Sequence, residues 1–455
     1  MTAEELKREI LEKTATYYRL VHASQRTASF VPGESRVNYA GRVFDERELV
    51  NLVDASLEFW LTHGHWSRMF EQGLADYLGV RHALFVNSGS SANLLAFATL
   101  TSPLLKERRI CRGDEVITVA AGFPTTIAPI MQFGAVPVFV DVERTTANID
   151  TTQLEAAVSS RTKAVMLAHT LGNPFNLEAV KAFCARHDLW LIEDNCDSLG
   201  STFAGRLTGT WGDLGTSSFY PPHHLTTGEG GAVYTGDPLL WKIALSIRDW
   251  GRECWCESGR DNTCGCRFTR QFGSLPVGYD HKYVYSHFGY NLKATDLQAA
   301  VGCAQLEKFP SFVEMRKRNF NRLYEGLKDI KALQLFEKYP ESDPSWFGFL
   351  MTVVDSGFSR NALAQYLEGC KIQTRNLFAG NIVRHPCMNG LVRGRDYRVV
   401  DDLPNTDTLM SNALWIGVYP GMTEAMLDYM ASCVRAFFTS GGKVCRASIP
   451  QGERS

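Results

Sequence analysis

The chain has 455 residues, 45% hydrophobic and 21% charged, which is enough apolar material for a sizeable core spread over two or three domains. A formal net charge of -2 gives no global support for nucleic-acid binding, and the basic runs Lys106–Arg112 and Arg316–Arg322 read as solvated faces. No apolar run reaches the ~18 residues of a membrane span. The opening segment MTAEELKREILEKT lacks the apolar core and cleavage site of a signal peptide, so a cytoplasmic location is expected.

Residues 3–22 carry an amphipathic helical pattern, and 44–60 and 66–79 predict two further helices. The strand HALFVNSG (82–89) stops at a turn and opens a helix at SSANLLAFATL. Strands are then predicted at 116–122, 135–142, 164–172, 190–196, 215–221 and 230–236, with a short helix at TTQLEAAVS and a longer one at 177–187. This alternation predicts an open, mostly parallel sheet with helical cover and a ligand at the carboxyl ends of its strands. Residues 240–250 read as a helix, whereas 251–290 form a long insertion rich in Gly, Cys and aromatics. Helices at 292–309 and about 312–328 lead to a strand at 347–354 and helices at 359–369 and 423–438. The expected organisation is an N-terminal helical segment (1–60), a large domain (61–310) carrying the insertion, a smaller α+β domain (311–440) and a disordered tail (441–455).

Asn87-Ser88-Gly89-Ser90-Ser91 joins a strand to a helix N-terminus, where free N–H groups and hydroxyls suit a phosphate, although such turns also merely cap helices. Asp194 ends an apolar strand; a carboxylate there needs a partner, and a protonated pyridine nitrogen is one. Phe123 follows the strand 116–122, where a ring can stack on another ring, and Ser217 and Asn291 are further candidate phosphate ligands.

In combination these pieces resemble the fold-type I aminotransferase class (aspartate aminotransferase-like), in its DegT/DnrJ/EryC/StrS branch acting on nucleotide-linked keto-sugars. The resemblance covers roughly residues 60–435: GSSAN, the aromatic at 123, EDN at 193–195, SFYP at 218–221, TGEGGAV at 227–233 and GYNLKATDLQAA at 289–300. It implies a vitamin B6 cofactor whose phosphate is held by Gly89, Ser90 and Ser217, whose ring stacks on Phe123 and whose nitrogen pairs with Asp194. It also implies that Asn291 reaches the phosphate of a neighbouring subunit, hence a homodimer with shared active sites.

The pattern breaks at SSFYPPHHLTTGEGGAV (217–233). In the family, SFYP is followed by one residue and then the Schiff-base lysine; here Pro222 and His223 fill those places, with His224 as the competing position. An imidazole moves protons near neutral pH but forms no imine, so pyridoxamine 5'-phosphate (PMP), held noncovalently, is the expected cofactor.

The twelve cysteines do not read as a disulfide scaffold in a chain this long. Cys111, Cys184, Cys303, Cys370 and Cys433 sit in or beside apolar segments and are expected to be buried thiols. Cys254, Cys256, Cys264 and Cys266 lie instead in the polar stretch GRECWCESGRDNTCGCRF. Spacing alone leaves zinc, an iron–sulfur centre and no metal all open.

Both departures are shared with the CDP-6-deoxy-L-threo-D-glycero-4-hexulose 3-dehydrase family, whose C-x57-C-x-C-x7-C ligand spacing matches Cys196, Cys254, Cys256 and Cys264. By that resemblance a [2Fe–2S] cluster relays single electrons to the PMP–sugar adduct, from a separate flavin-containing iron–sulfur reductase or a ferredoxin system. The implied substrate is a nucleotide-diphospho-4-keto-6-deoxyhexose that loses its C3 hydroxyl, CDP-linked in preference to TDP-linked or 2,6-dideoxy. Arg375, Arg384 and His385 are candidate substrate contacts. The alternatives are a cluster-free, glutamate-coupled dehydratase and a non-catalytic scaffold with structural zinc.

Overall fold

The computed structural model describes residues 1–26, 29–256 and 259–442. Its centre is an eight-stranded sheet, in the order His82–Val86, Gly231–Thr235, Leu214–Ser218, Trp190–Asp194, Thr162–Ala168, Glu115–Val119, Val136–Val140 and Arg398–Val399. Gly231–Thr235 runs antiparallel to both neighbours; the other pairings are parallel. Strands such as Glu115–Val119 and Val136–Val140 are buried at every position, as expected where helices cover both faces of a parallel sheet.

Two features differ from the sequence reading. The segments 292–309 and 312–328 are parts of one helix, Asp296–Leu327, which runs through Pro310. A proline removes one backbone donor and strains the preceding turn, which makes it read as a break; burial of Phe309, Phe312, Val313 and Phe320 holds the helix together across it. Residue 310, the expected boundary between large and small domains, therefore lies inside a helix. The second difference is Arg398–Val399, a two-residue strand from the C-terminal part that completes the edge of the large sheet.

The smaller antiparallel sheet, in the order Leu333–Leu335, Gly348–Val353, Ala413–Gly417 and Thr374–Arg375, shares one apolar core with the large sheet. The N-terminal segment joins this region through the Val37–Ile372 bridge. Of the predicted buried cysteines, Cys184, Cys370 and Cys433 are buried, Cys303 is partly buried and Cys111 is exposed. Arg316, read as part of a solvated run, is 1% exposed. The expected tail falls almost wholly outside the described residues. Among those described, no helix is long and apolar enough to cross a membrane.

Candidate active site

A cavity of about 310 Å³ opens at the carboxyl ends of the central strands. That size suits a cofactor-sized ligand. Its lining includes Gly89, Ser90, Phe123, Asp194, Cys196 and His223, which sequence alone had singled out.

Gly89 begins the helix Gly89–Leu100, whose N-cap, Ser88, accepts a hydrogen bond from the Ser91 amide. A Cβ at Gly89 would lie 2.4 Å from the Ser218 Cβ, so only glycine lets this helix end meet the strand Leu214–Ser218 so closely. The result is a cradle of backbone N–H groups and the Ser218 hydroxyl. Ser218, and not Ser217, faces the cavity. Ser217 is fully buried, with its Oγ 3.1 Å from the Tyr234 hydroxyl. The two neighbours are separated by the alternation of a strand, whose successive side chains take opposite faces.

The same alternation sorts the two acids at the end of Trp190–Asp194. Glu193 turns away from the cavity and accepts from the Gly209 and Gly212 amides at 2.7 and 2.5 Å, with His169 Nε2 3.0 Å away. Asp194 is turned into the cavity. Its Oδ2 accepts from Asn93 Nδ2 and Thr126 Oγ1, both at 2.7 Å, and its Oδ1 from the Cys196 amide at 3.1 Å. Thr216 donates in turn to Asn93 Oδ1 at 2.7 Å. Thr126 and Thr216 had no sequence signal, and Asn93 stood in the GSSAN motif without an assigned role; their convergence on Asp194 becomes visible only once the helices are laid against the strand ends.

Phe123 caps the helix Pro124–Gln132 and is 48% exposed, so a ring face remains available within the cavity. The cradle, the Asp194 carboxylate and this aromatic face fit a pyridoxamine phosphate. No lysine is among the residues lining the cavity.

His223 and His224 take opposite roles. His224 is 3% exposed and its Nε2 lies 2.7 Å from the Ser345 carbonyl. His223 lines the cavity, stacked on Phe347 with ring centroids 5.2 Å apart. Its Nδ1 is 2.9 Å from the Cys196 carbonyl and 3.4 Å from Asp197 Oδ1. Two acceptors facing Nδ1 place the ring proton there and leave Nε2 with its lone pair. Burial pushes the His223 pKa down to about 4, against the raising effects of the Cys196 carbonyl and of Asp194, so the free ring is neutral at ordinary pH. Burial, and after it the Asp194 charge, raises Asp197 well above the usual carboxylate range. Arg316 reaches up from the long helix and donates to the carbonyls of Trp346 (3.1 Å) and His223 (3.2 Å).

Of the other sequence candidates, Arg375 lines the cavity, with its guanidinium 4.0 Å from the centroid of the Tyr39 ring. Arg384 is paired with Asp407, and His385 Nε2 lies 2.7 Å from the Ala379 carbonyl; neither lines the cavity. Asn291 is exposed and bridged to Asp249, outside its own chain's cavity.

The four cysteines of the expected cluster do not come together within one chain. Cys196 is in the cofactor cavity, whereas Cys254 and Cys256 line a second one, with His63, His82, Leu84, Trp241 and Arg248. The ladder row Asp194, Thr216, Val233, Leu84 measures the gap: three inter-strand steps, about 14 Å. Thiolates on a shared metal centre each lie only about 2.3 Å from the metal. The set Cys196, Cys254, Cys256, Cys264 therefore does not fit a cluster in a single chain. Among the described residues, the group able to share an ion is Cys264, Cys266 and His281.

Fold and site together define a fold-type I, vitamin B6-dependent enzyme, with His223 and no lysine in the lining of its cavity. Comparison with known proteins gives the family: residues 44–435 match the DegT/DnrJ/EryC1/StrS aminotransferase family, and the chain belongs to it. It is 52% identical to the lipopolysaccharide biosynthesis protein RfbH of Salmonella typhimurium over 440 residues, covering 96% of this chain and 99% of that one. It is 51% identical to the dTDP-4-dehydro-2,6-dideoxy-D-glucose 3-dehydratase of Saccharopolyspora spinosa, covering 96% and 94%. Among solved structures it resembles Escherichia coli GDP-4-keto-6-deoxy-D-mannose-3-dehydratase with bound hydrated PLP, at 30% identity and a TM-score of 0.78, over 88% of this chain and 99% of that one.

Proposed function

We propose that this chain is a PMP-dependent dehydrase that removes the C3 hydroxyl of a nucleotide-diphospho-4-keto-6-deoxyhexose, and that a separate reductase completes the 3-deoxygenation. The observation that carries the reading is His223 standing in a B6-type cavity without a lysine. The relatives support it, since the Saccharopolyspora and Escherichia proteins are both named as sugar-nucleotide 3-dehydratases. A CDP-linked substrate is slightly favoured; a TDP-linked 2,6-dideoxy sugar is the nearest alternative, in line with the Saccharopolyspora relative.

Bound PMP would supply the amine for the C4 ketone and the electron sink that lets the C3 substituent leave. Gly89, Ser90 and Ser218 would hold its phosphate, Phe123 would cover its ring, and Asp194, oriented by Asn93 and Thr126, would keep its ring nitrogen protonated. His223 Nε2 takes a proton and, once charged, returns one to the departing hydroxyl. The Cys196 carbonyl fixes the tautomer that makes Nε2 the working atom. Arg375 is placed to meet the substrate. In this reading the enzyme works in the cytoplasm as a homodimer, with Asn291 reaching the phosphate site of its neighbour.

The electron donor in this reading is a flavin/iron–sulfur reductase or ferredoxin system acting through a [2Fe–2S] cluster. That part rests on the resemblance to the 3-dehydrase family, whose cysteine spacing Cys196, Cys254, Cys256 and Cys264 match. One chain does not assemble the set, so no step is assigned to the cluster. A second reading, the cluster-free, glutamate-coupled dehydratase, needs none of the four cysteines.

One experiment separates the two. The purified chain is given PMP and CDP- or TDP-4-keto-6-deoxyglucose, with either glutamate or a reductase and NADH. A 3-deoxy product with reductase and no glutamate upholds the first reading, and turnover driven by glutamate alone establishes the second. Absence of C3 loss under both conditions would reject both.

A further inference from the structure

We propose that Arg316 is a positioning residue for His223: its guanidinium ties the turn that carries the imidazole to the segment that carries the ring stacked against it. The inference rests on the reading of His223 as the proton carrier. It adds a residue that does not itself line the cavity.

The two segments are far apart in the chain. His223 sits in the turn after the strand Leu214–Ser218, and Phe347, on which its ring is stacked, immediately precedes the strand Gly348–Val353. The backbone amides of both residues are engaged elsewhere: His223 donates to the Tyr220 carbonyl at 2.9 Å and Phe347 to the Leu171 carbonyl at 2.8 Å. One side chain joins the carbonyls. Arg316 Nη1 donates to Trp346 at 3.1 Å, and Nη2 to His223 at 3.2 Å and to Pro222 at 3.5 Å. The contact of His224 Nε2 with the Ser345 carbonyl, at 2.7 Å, is a second tie between the same segments.

The choice of arginine follows from this bridge. A guanidinium presents its donors as a rigid planar fork, so one end reaches each segment; a lysine ammonium is a single point of charge. The placement is otherwise unfavourable. Arg316 is 1% exposed on the helix Asp296–Leu327. A buried cation is normally paired with a carboxylate. Here burial pushes the Arg316 pKa down to about 9, and Asp197 attracts the charge through space without a hydrogen bond. Phe312, Val313 and Phe320, three or four residues away on the same helix face, are buried apolar side chains. Packing alone would be met by another of that kind; a guanidinium is needed for the carbonyls it holds.

The imidazole is thus fixed at three points: Nδ1 against the Cys196 carbonyl, the ring against Phe347, and the backbone by Arg316. Removing the third lets the His223 turn shift relative to Phe347. A displacement of about 1 Å at a reacting group can lower a rate by about 10²-fold.

The test compares wild type, Arg316→Lys and Arg316→Met as full-length chains. In the cofactor-free proteins, modification of His223 by diethyl pyrocarbonate is followed by peptide mass mapping, with the exposed His65 as internal reference. In the PMP-loaded enzymes, kcat and KM are measured beside the thermal midpoint and a PMP titration. Arg316→Met is expected to modify faster at His223 relative to His65, and to lose about 10–10²-fold in kcat with KM and PMP affinity nearly unchanged. Arg316→Lys keeps the charge but not the fork, so an intermediate kcat at a midpoint close to wild type is expected. That variant separates lost positioning from a failure to fold. Wild-type kcat in Arg316→Lys would mean that the charge, not the bridge, matters, and would overturn the proposal. So would no faster modification of His223 in Arg316→Met, or a loss of activity matched by a loss of PMP binding. The modification needs no substrate. A wild type that turns over no sugar nucleotide therefore counts against the dehydrase reading alone, while the placement of the imidazole is still read from the modification rates.

Discussion

At the residue scale the proposed chemistry turns on one imidazole. His223 presents Nε2 to the cavity because the Cys196 carbonyl holds Nδ1. Replacing it with asparagine removes the proton carrier and leaves the phosphate cradle and Asp194 in place. Turnover should fall by about 10²–10⁴-fold with PMP affinity little changed, measured by steady-state rates beside a fluorescence titration. His223→Lys should instead trap pyridoxal phosphate as an imine, seen as a new visible absorption band lost on borohydride treatment.

The His223 pKa also makes a stability prediction. The folded value, about 4, lies below the ordinary 6.5, so the unfolded chain binds the proton more readily. The resulting contribution is fully present above pH ~6.5 and is lost as pH falls towards ~4, on the order of 3 kcal/mol in total. Urea denaturation of the cofactor-free chain at a series of pH values should show wild type losing stability faster than His223→Asn across that window. Equal slopes would mean that the ring is not held neutral by burial.

At the scale of elements, the junction of the helix Gly89–Leu100 with the strand Leu214–Ser218 decides whether a phosphate cradle exists. Gly89→Ala drives a methyl group to 2.4 Å from the Ser218 Cβ. Helix and strand must then separate, at a cost of about 1–3 kcal/mol. The expected outcome is a lower denaturation midpoint together with weaker PMP binding, whereas a normal PMP affinity would show that the cradle lies elsewhere. Element-level reading of the sequence worked where periodicity was strong and failed where a local rule was overridden. Pro310 looked like a helix end because it lacks a donor; the buried aromatic face of Asp296–Leu327 outweighs that loss. Arg316 looked solvated because its neighbours are charged, yet it turns inward to bind the backbone of the His223 turn.

At the scale of the whole molecule, the C-terminal part is strapped onto the large sheet. Arg398 extends its edge and meets Glu115 Oε2 at 3.0 Å, while Arg161 and Ser159 also bind that carboxylate, at 2.6 and 2.7 Å. Glu115 is 1% exposed, so its charge depends on these partners. Arg398→Ala leaves two of them, and the expected destabilisation is roughly 1–3 kcal/mol, read from the shift of the denaturation midpoint. Glu115→Ala should cost more, because Arg161 and Arg398 then lose their shared acceptor. The strap matters to function because Tyr39, Arg375 and Trp415, all outside the parallel strands, line the cofactor cavity.

The sequence by itself determined the α/β class, the order of the parallel strands' segments and the glycine-serine turn, and it singled out Asp194 and His223, which the structure places in one cavity. Each is written locally: in hydrophobic period, in a turn residue, or in one residue type against a motif. Tertiary structure alone decided which of two adjacent side chains faces the cavity, as with Ser217 and Ser218 or His223 and His224, because a one-residue step in a strand or turn reverses direction. It also supplied Asn93, Thr126 and Thr216, whose role exists only where separate elements converge on one carboxylate. The cysteines mark the limit most clearly. Spacing can match a ligand set, but whether four sulfurs share one centre depends on distances across the sheet, and here, within one chain, three inter-strand steps separate Cys196 from the cavity lined by Cys254 and Cys256.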